Sequence, residues 1–335
     1  MIRIFARDTM TFVEPDSLQH RQSGNPSAWA ALEAIITDMK QDALLDIQRL
    51  VPYLNNVKNS YDLSALLSSC AFRLQGTDGI RGLVSSCFET PANAIKLFMK
   101  EHLITPVFIS LYVQSFLSML QDSSDIEICT VVFGEDGRDY YDGGLLKQAV
   151  MESVCSMGWN VLDLGIVPTP ALVYESVVRD CPALMLTASH NPAEYNGLKL
   201  FVHGRKLYPQ GTVGEYALTY RVCTQIPEQK KELGLVSLQP GKASVEAFLD
   251  KVCTPSIIAP YLAGRTVFLD AACGAYSHFA AGYLESRLGV HVVECASQQG
   301  AGKINKACGV GIVENLLEEG PIEVLSPECP QVCLQ

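Results

Sequence analysis

No stretch of this 335-residue sequence is long and apolar enough to read as a membrane span. The longest candidate, Ile104 to Leu120, is interrupted by Pro106, Ser110, Gln114, Ser115 and Ser118, and reads as a buried helix. A secretory signal is lacking too, because Met1 to Thr11 holds Arg3, Arg7 and Asp8 but no apolar core. There is no excess of basic residues: 25 Lys and Arg stand against 36 Asp and Glu, for a formal net charge of -11. That balance excludes a general nucleic-acid binder, which needs a cationic footprint, but leaves room for a local anion site. Cysteine is plentiful, yet a framework for it is missing. The 12 cysteines are scattered from Cys70 to Cys333, and in a large chain without a signal they read as reduced, buried thiols. Cys329 and Cys333 lack the second His or Cys pair that a zinc site requires. No solenoid repeat and no low-complexity tract occurs. These absences make the cytoplasm the expected location.

What is present is an ordinary globular mixture, 48% hydrophobic and 18% charged, long enough for two domains. From Ser27 to Leu54, Trp29, Leu32, Ile35, Ile36, Met39, Leu44, Leu45, Ile47 and Leu50 recur at mostly helical spacing. Ser27 is a suitable cap and Pro52 a suitable end, so residues 1–70 are expected to form a helical extension. Self-association through these helices and a solvated accessory role are both open.

A regular α/β rhythm follows over residues 71–223. It predicts a helix from Ala92 to Leu120, a strand from Ile126 to Phe133, a helix from Gly143 to Met157 and a strand from Asn160 to Leu164. A helix from Ala171 to Val178 and strands at Ala183 to Leu186 and Gly197 to Val202 complete it. The expected fold is a three-layer α/β/α domain with a mixed, mainly parallel sheet covered on both faces. Residues 224–243 gain charge, Gly and Pro and read as a linker. Residues 244–335 begin a second unit of the same type. Its helix is expected at Ser244 to Val252 and its strands at Thr266 to Asp270 and His291 to Glu294. Periodicity is lost after Glu319, so this domain is expected to be incomplete, with part of its core exposed.

One loop stands out at the end of a strand: Thr187-Ala188-Ser189-His190-Asn191-Pro192, followed by Tyr195-Asn196-Gly197-Leu198-Lys199. In open parallel sheets, ligands bind where loops leave the carboxyl ends of strands. A serine hydroxyl needs a base or a cation to act as a nucleophile, and His190 and Lys199 are near in sequence. Phosphorylation of Ser189 would create a dianion in need of cations, for which Lys199, Arg81 and Arg138 are available. Each residue also has a plainer reading. Ser and Asn are common turn formers, and Arg81 and Arg138 could merely pair with Asp78 and Asp136. His190 could bond the turn, Asn191 and Asn196 could shape it, and Gly197 could serve for backbone freedom. The absence of Gly-x-Ser-x-Gly around Ser189 counts against a serine hydrolase.

The loop closely resembles the active-serine signature of the α-D-phosphohexomutases, the phosphoglucomutase/phosphomannomutase family. Gly76-Thr77-Asp78-Gly79-Ile80-Arg81-Gly82 is similar to that family's first strand-loop element, and Gly134-Glu135-Asp136-Gly137-Arg138 to its arginine loop. Leu164-Gly165-Ile166-Val167-Pro168-Thr169-Pro170 resembles its Pro-Thr-Pro turn. In the second unit, Val267-Phe268-Leu269-Asp270-Ala271-Ala272-Cys273-Gly274 and Gly302-Lys303-Ile304-Asn305-Lys306-Ala307-Cys308-Gly309 resemble the start and the Ile-Asn-Lys-x-Cys-Gly element of the family's second domain.

The resemblance implies interconversion of hexose 1-phosphate and hexose 6-phosphate through a phosphoserine at Ser189 and a hexose 1,6-bisphosphate intermediate. Ser189, His190 and Lys199 would be catalytic, Arg81 and Arg138 would hold phosphate oxygens or fix the serine loop, and phosphorylated Ser189 would be a ligand of Mg2+. Hexose phosphate is the implied partner. The family's Asp-Gly-Asp-x-Asp-Arg metal loop has no counterpart here. Asn315-Leu316-Leu317-Glu318-Glu319-Gly320 stands in its place, and no Asp-x-Asp follows Asp270. The chain is therefore expected to be incomplete as a mutase and, alone, to show negligible turnover. The alternative is a non-catalytic truncated paralogue that binds phosphosugar or a full-length mutase. Which hexose is preferred is not legible, because the discriminating segments are absent.

Overall fold

A computed structural model describes residues 73–312, apart from 88, 124–128, 139–142, 225–229, 231, 278, 299 and 301. The expected N-terminal helices and the segment in the place of the metal loop lie outside the described residues.

In chain order the elements are β1 (Ile80–Val84), α1 (Pro91–Glu101), β2 (Leu103–Ile104), α2 (Pro106–Gln121), β3 (Thr130–Glu135) and α3 (Leu145–Ser156). Next come β4 (Asn160–Ile166), α4 (Thr169–Arg179), β5 (Ala183–Leu186), β6 (Tyr195–Val202), β7 (Arg205–Lys206) and α5 (Glu215–Thr224). The last are β8 (Val236–Leu238), α6 (Lys242–Cys253), α7 (Pro255–Leu262), β9 (Thr266–Asp270), α8 (Ala280–Leu288) and β10 (His291–Cys295).

The main sheet has the order β2-β1-β6-β5-β3-β4-β8, with β7 added on β6. Every pair is parallel except those that β6 makes. Its middle strands are apolar throughout: Val131, Val132 and Phe133 of β3 and all four residues of β5 are buried. Such runs need cover on both faces, and the topology supplies it. The step from β3 through α3 to β4 moves one way along the sheet, and the step from β4 through α4 to β5 moves back past β3. Right-handed crossovers therefore put α3 and α4 on opposite faces. The reversal falls between β3 and β5, the point beyond whose carboxyl ends such sheets generally bind ligands.

The single helix expected from Ala92 to Leu120 is two. α1 stops at His102, which has φ 51 and donates its N–H to Phe98 O at 3.0 Å. Leu103 and Ile104 then pair with Leu83 and Val84, and Thr105 caps α2 by accepting from Phe108 N at 3.1 Å. Pro106, in the first turn of α2, marks this restart. Phe98 stacks on Phe108 across the two helices, with ring centroids 4.2 Å apart. Burial of each such ring stabilises the fold by about 1.5–3 kcal/mol.

β8 lies within the expected linker and extends the sheet beside β4. On the α4 side, Leu164, Val167, Leu172, Met185 and Phe201 form one core with Val245, and Phe248, Tyr276 and Phe279 pack against it. The described residues Gln75–Leu207 and those from Lys230 onward thus belong to one compact unit. In this unit β9 and β10 form a two-stranded parallel sheet. Phe268 is 59% exposed and Val293 38%, so this small sheet presents apolar surface. The other described unit holds Arg73, Leu74 and Tyr208–Thr224. There Arg73 pairs with Glu215, and Leu74 N donates to Thr219 Oγ1 at 3.1 Å. Among the described residues no helix is long and apolar enough to cross a membrane.

Candidate functional site

Ser189 occupies the loop between β5 and the reversed strand β6, at the carboxyl edge of the parallel sheet. Its φ of 56 places it in the left-handed region, which costs an L residue roughly 1–2 kcal/mol. The conformation is held by a closed ring of hydrogen bonds. Ser189 N–H donates to Thr187 Oγ1 at 2.9 Å, and the Thr187 hydroxyl donates to Asp136 Oδ2. Asp136 accepts from Arg138 Nε at 3.0 Å, and Arg138 Nη2 donates to Ser189 O at 2.5 Å. Arg138 Nη1 also reaches Asn191 O, Pro192 O and Tyr195 O, each at 3.1 Å.

Of the two roles expected of Arg138, holding phosphate oxygens and fixing the serine loop, this geometry is that of the second. The residue is 2% exposed, and its donors are directed at Asp136 and at the serine loop. A phosphate oxygen cannot reach it without dismantling that loop. The expectation for Gly197 is corrected. It does not have a positive φ; its role is close approach, since a Cβ there would lie 2.1 Å from Ile80 O and 3.0 Å from Thr187 O. A side chain at this position would push β1 away from the loop.

Arg81, on β1 opposite Gly197, faces the loop from the other side. Its Nη2 is 3.4 Å from Ser189 Oγ and its Nη1 is 3.5 Å from Asn191 Oδ1. Asp78 lies 3.9 Å from Arg81 and 3.0 Å from Lys206 Nζ. Burial pushes the Arg81 guanidinium down from its ordinary value and Arg138 adds to this, while Asp78 opposes. Lys199, on β6, is half-buried and forms no ion pair with a described residue. Burial first and Arg81 second press its ammonium below the ordinary lysine value. Arg81 beside Ser189 Oγ, with Lys199 close enough to be depressed by it, makes a cationic neighbourhood that favours an entering dianion. His190 is exposed and adjacent to Ser189, with no hydrogen bond to a described residue.

Magnesium takes near-octahedral oxygen ligands. Among the described residues no group of three or more His, Cys, Asp or Glu could hold a metal ion. Ser189 offers one oxygen, and the Asp136 carboxylate is tied to Arg138 and Thr187. The described residues alone therefore do not fit a magnesium site at Ser189.

The pairing of Arg138 with Asp136, its plainer reading, is present at 3.0 Å. Two contributors, Thr187 and Asn305, are given no role by the sequence; Thr187 completes the ring from inside the serine motif. Asn305 donates Nδ2 to Ser189 O at 2.9 Å and to Asn191 O at 3.0 Å. The signal for it was the Ile-Asn-Lys-x-Cys-Gly resemblance, which carries no hint of contact with a loop so distant in sequence.

Comparison with known proteins gives the following similarities. The model of phosphoglucomutase/phosphomannomutase, alpha/beta/alpha domain I, matches residues 73–212. The phosphoglucosamine mutase of Alkaliphilus metalliredigens is 31% identical over 259 residues, 75% of this chain and 52% of that protein. That of Rhodococcus erythropolis is 32% identical over 247 residues, 73% of this chain and 50% of that protein. The chain spans about half the length of the curated relatives it matches. An X-ray structure of a phosphoglucomutase/phosphomannomutase family protein from Burkholderia thailandensis superposes with TM-score 0.45 and 20% identity, over 68% of this chain and 44% of that one. Residues 73–212 are thus an alpha/beta/alpha domain I of the phosphoglucomutase/phosphomannomutase family, the α-D-phosphohexomutases.

Proposed function

We propose that Ser189 carries the phosphoryl group of a phosphohexomutase reaction, interconverting hexose 1-phosphate and hexose 6-phosphate through hexose 1,6-bisphosphate. The relatives named phosphoglucosamine mutase favour an amino sugar phosphate as the substrate. The observation that carries the reading is the fixed, left-handed Ser189, with Oγ facing Arg81 rather than an imidazole. A serine hydrolase would need a base at that distance.

In this reading, Ser189 Oγ attacks the phosphorus of the bisphosphate. The Oγ–P bond forms as the sugar O–P bond breaks, and the hydroxyl proton is released from Oγ to solvent. A proton returns to the departing sugar oxygen. Phosphoryl transfer depends mainly on positioning and charge neutralisation. Arg81 and Lys199 neutralise the group as it arrives, while Arg138 holds the loop and touches no substrate. In the family, magnesium supplies further neutralisation when bound. No step is assigned to it here, because the described residues do not complete its ligand set.

In this reading Ser189 and Arg81 serve one phosphoryl group, whereas the bisphosphate carries two. The 335-residue chain alone is accordingly expected to accept a phosphoryl group slowly and to show negligible mutase turnover. A second reading, phosphosugar binding without transfer, is favoured by the engagement of Asp136 with Arg138 and Thr187. The nine cysteines among the described residues are free thiols, as a cytoplasmic location would keep them.

The test is incubation of the full chain with glucosamine or glucose 1,6-bisphosphate in magnesium-containing buffer, followed by intact-mass analysis and peptide mapping. One phosphoryl group on Ser189, absent from Ser189→Ala, supports transfer. Binding of the bisphosphate with no modification favours the second reading.

A further inference from the structure

Asn305 lies in a loop whose path is tightly constrained. Its φ is 58, a conformation Asn tolerates better than most residues. Its N–H donates to Ala272 O at 3.0 Å, just beyond β9. Asp270, the last residue of β9, accepts from Ala272 N at 2.7 Å and from Gly309 N at 2.6 Å, and so holds both sides of the loop together. Ile304 is buried, and Gly311 approaches so closely that a Cβ would lie 2.3 Å from Asn305 O.

From this base the carboxamide directs both hydrogens of Nδ2 at the serine loop, to Ser189 O and Asn191 O. These are the two residues whose side chains Arg81 faces, through Ser189 Oγ and Asn191 Oδ1. Ser189 O then has two donors, Arg138 and Asn305, one for each lone pair. Arg138 belongs to the element that precedes the loop in the sheet, and Asn305 to the segment that follows β10. The hydroxyl is thus fixed by contacts on its own backbone carbonyl from two separate elements.

We infer that Asn305 is a positioning residue for Ser189, holding the serine loop so that Oγ stays aimed at the position of the incoming phosphorus. This rests on the reading of Ser189 as phosphoryl acceptor. Asn305 acts through the loop and touches no substrate.

Two substitutions keep the left-handed backbone and remove the donors. Asn305→Gly deletes the carboxamide, and Asn305→Asp keeps its shape but turns an acceptor oxygen toward two carbonyls. In the full chain, both variants should lower the maximal rate of phosphoryl uptake on Ser189 from glucose 1,6-bisphosphate by about tenfold or more. The half-saturating bisphosphate concentration should not change. Hydrogen–deuterium exchange should quicken at residues 187–197 while β3, β4 and the thermal midpoint stay as in the unsubstituted chain. Full uptake in both variants overturns the inference. So does a raised half-saturating concentration at an unchanged maximal rate, or faster exchange across the whole sheet. If the unsubstituted chain takes up no phosphoryl group, the reading of Ser189 fails by itself. The exchange difference at 187–197 then still decides whether Asn305 holds the loop.

Discussion

Arg138 donates to the carbonyl oxygen of Ser189 at 2.5 Å while its Nε rests on Asp136 at 3.0 Å. One buried guanidinium therefore couples the loop after β3 to the loop after β5, across the reversal point of the sheet. Arg138→Met would leave the Asp136 carboxylate buried without its cation, and about 3–5 kcal/mol of stability should be lost. Arg138→Lys should recover little of this, because an ammonium cannot serve Asp136 and several loop carbonyls at once. Urea unfolding of the two variants checks this, and a loss below about 1 kcal/mol would speak against the clamp.

Lys199 should show the opposite sign. Its charged form is disfavoured by burial and by Arg81, and no described carboxylate pairs with it. Lys199→Met should therefore raise the thermal midpoint at neutral pH while weakening binding of inorganic phosphate or vanadate. A lower midpoint, or undiminished anion binding, would show that the charge is compensated in the resting fold.

Arg81 is placed to act on the reacting group more than on the fold. Arg81→Ala should reduce phosphoryl uptake at Ser189 by about 100-fold, comparable to loss of one oxyanion donor. Its unfolding free energy should change by less than about 1 kcal/mol, since its contacts to Ser189 and Asn191 are long, 3.4 and 3.5 Å. Equal uptake in the variant would remove Arg81 from the site.

A pH effect is expected at the carboxyl end of β3, where Glu135 directly precedes Asp136. Burial alone would push the Lys147 ammonium down, but Glu135 at 2.8 Å and Asp163 at 3.1 Å outweigh it and hold the group above its ordinary value. A base whose folded value is raised stabilises the fold fully below its unfolded value, near pH ~10.4. That contribution is lost as pH rises through the folded value. Stability measured by urea unfolding should fall over this alkaline window, and the fall should be shallower in Lys147→Met. Identical slopes would show that the triad does not titrate there.

Much of the fold was legible in the sequence, and the reason is local. The strands expected at Ala183 to Leu186 and Thr266 to Asp270 have those bounds in the structure, because short apolar runs between turn residues leave little choice. The break between α1 and α2 is masked in the sequence, although Pro106 marks it, since the apolar periodicity runs on through β2. β8 does not stand out from the linker in sequence, because an exposed three-residue edge strand depends on its partner, β4, rather than on its own pattern. At the site, the serine loop and its cations could be named from their motifs, but not their division of labour. Which arginine faces the hydroxyl and which is buried beneath the loop follows from the β1–β6 and β3–β5 pairings. Asn305 was beyond reach for the same reason, as its hydrogen bonds span a sequence separation of 116 residues.

The most direct test of the central claim is to isolate the chain phosphorylated at Ser189, mix it with a hexose 1-phosphate, and follow where the phosphoryl group goes. The account predicts that it leaves as hexose 1,6-bisphosphate and restores the free serine. Release only as inorganic phosphate, or retention on the protein, would contradict the assignment of Ser189 as a phosphoryl carrier between sugars.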